Sequence, residues 1–139
     1  MREPAKNPCG SCPYRRDVPS GVWDSSEYAK LVAYDTDTPH QPTGVFLCHQ
    51  QNGAVCSGWA GCHDMDGSLA LRLAVPMGHV TAKVAHSVVD YVSPVPLFRS
   101  GAEAAAHGMA EVDEPGEKAT RTISKLVRKQ SRARHTAGA

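Results

Sequence analysis

Hydrophobic positions recur at helical spacing in several separate stretches of this chain, with proline- and glycine-rich segments between them. Asp24-Ser25-Ser26-Glu27 has the form of a capping box, Asp24 accepting backbone N–H groups and Glu27 reaching back. The residues that follow place Tyr28, Leu31, Val32 and Tyr34 on one face, the spacing of a core-facing helix. Leu69, Leu71 and Leu73 alternate as a strand would, but Ala70, Arg72 and Ala74 favour a helix, and Asp66 or Ser68 supplies its cap; the segment is read as helix up to Pro76 and Gly78. Val80, Val84 and Val88 recur every four residues and predict a helix to about Tyr91, before Pro94 and Pro96 break the chain. Ser100-Gly101-Ala102-Glu103 is a second capping-box pattern, opening an alanine-rich helix that Gly108 is placed to end as its C′ residue. Beyond Asp113-Glu114-Pro115-Gly116, a linker by composition, Glu117 to Arg134 predicts a last helix with Ile123, Leu126, Val127 and Gln130 on one face.

One stretch reads differently. Val45-Phe46-Leu47-Cys48 is a short apolar run that predicts a strand, residues 50–53 a turn, and Val55-Cys56 the returning strand of a small hairpin. Residues 1–22, with Pro4, Pro8, Pro13 and Pro19, are expected to form an irregular arm, and residues 35–42 a loop. The fold expected is therefore mainly α with a small β-hairpin: a small, metal-stabilised α+β domain over residues 1–112. A linker and a basic C-terminal helix or tail follow over residues 113–139.

Composition adds the reason for a staple. With 139 residues, 12 Gly and 10 Pro, the chain has enough apolar content for a modest core but much of it must be loop, a situation in which small domains often use a metal. All five cysteines lie between residues 9 and 62. Their odd number argues against a closed disulfide framework, and no apolar run is long enough to span a bilayer or to form a signal-peptide core. A cytoplasmic chain with reduced thiols is the expectation.

Cys9-Gly10-Ser11-Cys12 is a C-x-x-C knuckle, with Gly10 suited to a tight turn and Pro13 keeping Cys12 out of helix. Two thiolates on one side of a loop need a second half-site to close a tetrahedron around Zn²⁺, and the same sulfurs suit a [4Fe–4S] cluster. Cys9, Cys12, Cys48 and Cys56 are the first choice of ligands, with Cys62, His49 and His63 in reserve. Trp59 is expected to cover or pack against the site. A redox C-x-x-C needs a helix opening at the first Cys, and Pro13 and the absence of a βαβ pattern count against it. No G-x-S-x-G, glycine-rich phosphate loop or H-E-x-x-H is present, so a zinc enzyme ranks below a binding module and no catalytic residue is assigned.

Charge is distributed unevenly. Seven of the 15 basic residues lie from Lys118 onward with no acidic residue among them, which leaves eight basic against 14 acidic before that point. Arg121, Lys125, Arg128, Lys129, Arg132 and Arg134 therefore mark a candidate surface for DNA, RNA or a protein of the transcription machinery. The competing reading is a solvated helix packed on the body by its apolar face.

Several motifs carry a resemblance: Cys9-x-x-Cys12-Pro13-Tyr14-Arg15-Arg16-Asp17-Val18-Pro19-Ser20-Gly21-Val22-Trp23, Phe46-x-Cys48-His49-Gln50, and Cys56-x-Gly58-Trp59. Together with Glu27-Tyr28-x-Lys30-Leu31 and the block from Leu97 to Ala105, they resemble a group of small actinobacterial and actinobacteriophage proteins known as a domain of unknown function. The resemblance covers residues 8–108 and implies that Cys9, Cys12, Cys48 and Cys56 are the family's cysteines. A fainter similarity is to the WhiB-like iron–sulfur regulators, whose C-x-x-C and G-V-W pieces are here in a different order; it implies the iron–sulfur alternative.

Overall fold

The computed structural model describes residues 1–138, and the side chains of residues 1–133. Six α-helices organise it: α1 Ser25–Val32, α2 Ser57–Cys62, α3 Leu69–Ala74, α4 Ala82–Val89, α5 Gly101–Met109 and α6 Glu117–Gly138. Short 3₁₀ turns at Ala33–Asp35, Thr38–His40 and Met65–Gly67 link the early ones.

The caps explain where the helices begin. Asp24 accepts from the Ser26 N–H at 3.3 Å, Ser68 Oγ from Leu71 N–H at 3.2 Å, Thr81 Oγ1 from Val84 N–H at 3.2 Å and Ser100 Oγ from Glu103 N–H at 3.0 Å. The capping box at Asp24 closes on one side alone: Glu27 turns away to Lys30 at 3.0 Å and to His49 Nε2 at 2.9 Å. In α1, Tyr28 and Leu31 are buried as the period predicts, whereas Val32 is exposed.

The expected β-hairpin does not form; among the described residues there is no strand. What remains is a single antiparallel bridge, Leu47 with Val55, held by Cys48 N–H to Ala54 C=O and Cys56 N–H to Phe46 C=O, both 2.9 Å. The physical reason lies in the return limb. Cys56 is the N-cap of α2, its sulfur accepting from the Trp59 N–H, so the chain turns into helix immediately after Val55 and no ladder can grow. Ala54 is flanked on its other side by Arg2 in a second isolated, parallel bridge. Helix α2 was not expected either, since Gly58 and Gly61 lower its local propensity.

The main core gathers Tyr14, Tyr28, Leu31, Val55, Trp59 and Val88, with Cys12 and Cys56 inside it. A second, smaller cluster joins Val18 and Val22 of the arm to Ala119 and Leu126 of α6, with Trp23 and Ile123 at its edge. The last helix thus lays an apolar stripe on the arm that leaves the knuckle. No helix among the described residues is long and apolar enough to cross a membrane.

Candidate metal centre

The knuckle is built by its own backbone. The Cys12 N–H donates to the Cys9 carbonyl at 3.0 Å and the Arg15 N–H to the Cys12 carbonyl at 3.1 Å, winding residues 9–15 into consecutive turns. Gly10 does not need its glycine for backbone reasons, since it is not among the glycines of positive φ, and a Cβ there would meet open space. The demanding glycine is Gly58, in the first turn of α2. A Cβ on it would overlap Cys12 Sγ and Tyr14 Cβ, so a bare backbone lets α2 press against the knuckle. Arg15 and Arg16 hold the arm in place. Arg15 grips Asp17 through two bonds and the Pro8 carbonyl through a third, and Arg16 bonds Glu103 and the Leu97 carbonyl while lying over the Phe98 ring.

Four thiols lie in this neighbourhood. Cys12 Sγ and Cys56 Sγ are 3.9 Å apart, although 44 positions separate them in the chain. Cys9 is close enough to Cys12 and to Cys48 for them to act on the titration of its thiol. The four therefore neighbour one another in the order Cys48, Cys9, Cys12, Cys56, with Cys12 and Cys56 in contact. Backbone N–H groups point at the two ends of this order, Gln51 to Cys48 Sγ at 3.3 Å and Trp59 to Cys56 Sγ at 3.5 Å. Such donors favour a thiolate.

Crowding works the other way. The Cys12 thiol is pushed well above its ordinary range by Cys56, Cys48 by Cys9, and Cys9 by Cys12, with burial adding to each. Thiols packed this closely resist losing their protons together unless a cation shares the charge. Among the described residues, no group of three or more His, Cys, Asp or Glu side chains is already disposed around one point to hold a metal ion. The donor chemistry nevertheless fits one. A Zn–S bond of about 2.3 Å in a tetrahedron puts sulfurs about 3.8 Å apart, and the Cys12–Cys56 pair has that spacing.

The reserve ligands are engaged elsewhere. His49 bonds Glu27 and stacks on Trp23 with ring centroids 4.5 Å apart. His63 has its Nε2 3.3 Å from Tyr14 OH and its Nδ1 3.8 Å from Asp35, and burial lowers its pKa against the opposing pull of Asp35. Cys62 stands at the other end of α2, its thiol pushed up to about 12 by burial and then by Asp35. Cys62 and His63 instead border a polar hollow of about 400 Å³ with Tyr34, Asp35 and Arg99. Trp59 is fully buried beside the site as a packing residue.

On α6, Lys125, Arg128, Lys129 and Arg132 line one shallow hollow of about 380 Å³. Arg121 stands apart and pairs with Glu117 at 4.0 Å, while the Arg134 side chain lies outside the described residues. Lys129 reaches across to Gln50 Oε1 at 2.8 Å, and Gln50 Nε2 donates to Ser11 Oγ at 2.5 Å. The sequence assigns no role to Gln50 or Ser11, although Gln50 closes the Phe46-x-Cys48-His49-Gln50 motif and Ser11 lies inside the C-x-x-C.

The chain belongs to a family of unknown function (DUF6283), matched over residues 4–130, which takes in α6 as far as Gln130. The resemblance carried by the cysteine motifs is therefore borne out as membership of a family of unknown function. No curated protein and no solved structure matches the chain.

Proposed function

We propose that Cys9, Cys12, Cys48 and Cys56 bind one Zn²⁺ as a closed structural site, and that the stapled domain is a binding module presenting the basic side of α6 to a nucleic-acid backbone. The observation that carries the metal reading is the Cys12–Cys56 pair, 3.9 Å apart and at the edge length of a zinc tetrahedron, with Cys9 and Cys48 close enough to act on each other's thiols. A [4Fe–4S] cluster gives each thiolate its own iron, so its sulfurs stand farther apart than around a single ion, and the 3.9 Å pair favours zinc. Four thiolates leave no open coordination position, which fits a structural role better than catalysis. Reduced thiols in the cytoplasm belong to the same reading.

The binding half rests on Lys125, Arg128 and Lys129, which have no carboxylate partner among the described residues and share one face. Such a face neutralises phosphates without reading bases. An acidic surface on a transcription protein presents the same charge and is an outcome that pull-down against nucleic acid would separate.

Metal analysis with a visible absorption spectrum, on protein purified without oxygen, tests the centre. About one zinc per chain and a colourless solution are expected. Several irons with a brown colour would replace zinc by a cluster, and neither metal would remove the proposal. Cys12→Ala should lose the ion and its cooperative thermal transition, because binding and folding are coupled in such sites. Cys62→Ala should keep both.

A further inference from the structure

Helix α6 rests on both halves of the thiol site. Its apolar stripe, Ala119 and Leu126, lies on Val18 and Val22, and all of this arm leaves the knuckle at Cys12. Trp23, at the edge of that cluster, is itself tied back: its Nε1–H donates to the Ser11 carbonyl at 2.7 Å. The polar side of α6 has a different support. Lys129 Nζ donates to Gln50 Oε1 at 2.8 Å, Gln50 donates to Ser11 Oγ at 2.5 Å, and Ser11 Oγ lies 3.8 Å from Cys9 Sγ. Gln50 belongs to the loop of Cys48, whose sulfur accepts the N–H of the next residue, Gln51.

The two supports come from different parts of the chain. The arm belongs to Cys9 and Cys12, and the loop belongs to Cys48. The loop has a single antiparallel bridge at its base and no sheet to stiffen it. Across the gap between them, Cys9 and Cys48 are neighbours close enough to act on each other's thiols. Neutral thiols are weak donors and weak acceptors, so this interaction alone fixes the spacing loosely. A shared ion would fix it through two metal–sulfur bonds.

We propose that metal occupancy of the thiol site sets the docking of α6, with Gln50 as the residue that transmits it, so that the cationic face is held in one presentation when the ion is bound and released when it is lost. This rests on the metal reading above. Gln50 touches neither the ion nor a bound polyanion; it is a positioning residue.

Hydrogen exchange on the full chain under reducing conditions tests it, comparing zinc-loaded protein, protein stripped with a chelator, and zinc-loaded Gln50→Leu. Metal content is measured first. A chain that binds no metal fails at that step, which overturns the metal reading and this inference with it. Relative to the zinc-loaded protein, amides of residues 117–130 are expected to exchange about fivefold faster or more after stripping. Gln50→Leu should show the same acceleration in those residues while keeping one zinc per chain. Equal protection of residues 117–130 with and without zinc would overturn the inference and leave the metal site standing. Where the stripped protein unfolds throughout, Gln50→Leu decides: acceleration confined to α6 supports the coupling, and unchanged α6 protection refutes it.

Discussion

Gly58 has less room to change than any other glycine around the thiols. The methyl group of Gly58→Ala would fall on Cys12 Sγ and Tyr14 Cβ, two atoms fixed in the core rather than on a flexible chain end. Overpacking of this kind costs about 1–3 kcal/mol, and here it would also push a sulfur away from its partners. The denaturant midpoint of Gly58→Ala should drop accordingly, with weaker zinc retention against a chelator. Gly10→Ala is the control. It meets no atom within 4 Å, and its effect should stay within about 0.5 kcal/mol. An equal loss in both variants would mean that the close approach of α2 to the knuckle is not what Gly58 supplies. The sequence makes both glycines visible but points to Gly10, because a glycine inside a C-x-x-C suggests a turn. The distance between α2 and the knuckle is not written in either segment.

Helices α1 and α5 pack through the smallest residues available. Gly101, Ala104, Ala105 and Gly108 are the buried positions of α5, and a Cβ on Gly101 or Gly108 would strike the Leu31 carbonyl or the Tyr28 ring. Asp35 locks the start of α5 by accepting from the Gly101 and Ala102 N–H groups, both at 2.7 Å. Gly108 was expected to end this helix as a left-handed C′ residue. Instead the helix runs on to Met109, and Gly108 is not among the residues of positive φ. Two effects then compete in Gly108→Ala. Helix propensity favours alanine by about 1 kcal/mol, whereas the clash with Tyr28 costs about 1–3 kcal/mol. The ring is 2 % exposed and cannot swing out, so the clash should win and the thermal midpoint should fall. A rise would show that α5 can slide away from α1.

Charge is a property of the whole molecule. An acidic body carries a helix on which Lys125, Arg128, Lys129 and Arg132 gather on one face while its apolar stripe is used for docking. If that face binds duplex DNA, four neutralised phosphates give a salt slope of about −3.6 in log K against log [salt]. Lys125→Gln with Arg128→Gln should reduce the slope by about 2 and leave the thermal midpoint unchanged, since neither residue is buried. Fluorescence anisotropy with a labelled duplex at several salt concentrations makes the measurement. Absence of binding at low salt would remove the nucleic-acid partner without touching the thiol site. Removing the whole helix is a poorer experiment, because it would also uncover Val18 and Val22.

The sequence by itself determined the helices that carry a period and a cap. Asp24, Ser68 and Ser100, marked in the sequence, each open the helix they precede, and Thr81, which no sequence pattern marked, does the same, because an N-cap is a bond between neighbours along the chain. It also named the donor types that could gather at a metal. It misread residues 45–56, where a short apolar run is consistent with a strand. Whether a strand grows depends on a partner, and Cys56 spends its geometry on capping α2 instead. Tertiary structure alone decided which donors stand together. Cys12 meets Cys56, while His49 turns to Glu27 and Trp23, and His63 to Tyr14 and Asp35. Local torsional preference and periodicity act over a few residues, whereas these meetings bring together side chains 22 to 49 positions apart and exist only once the core has packed.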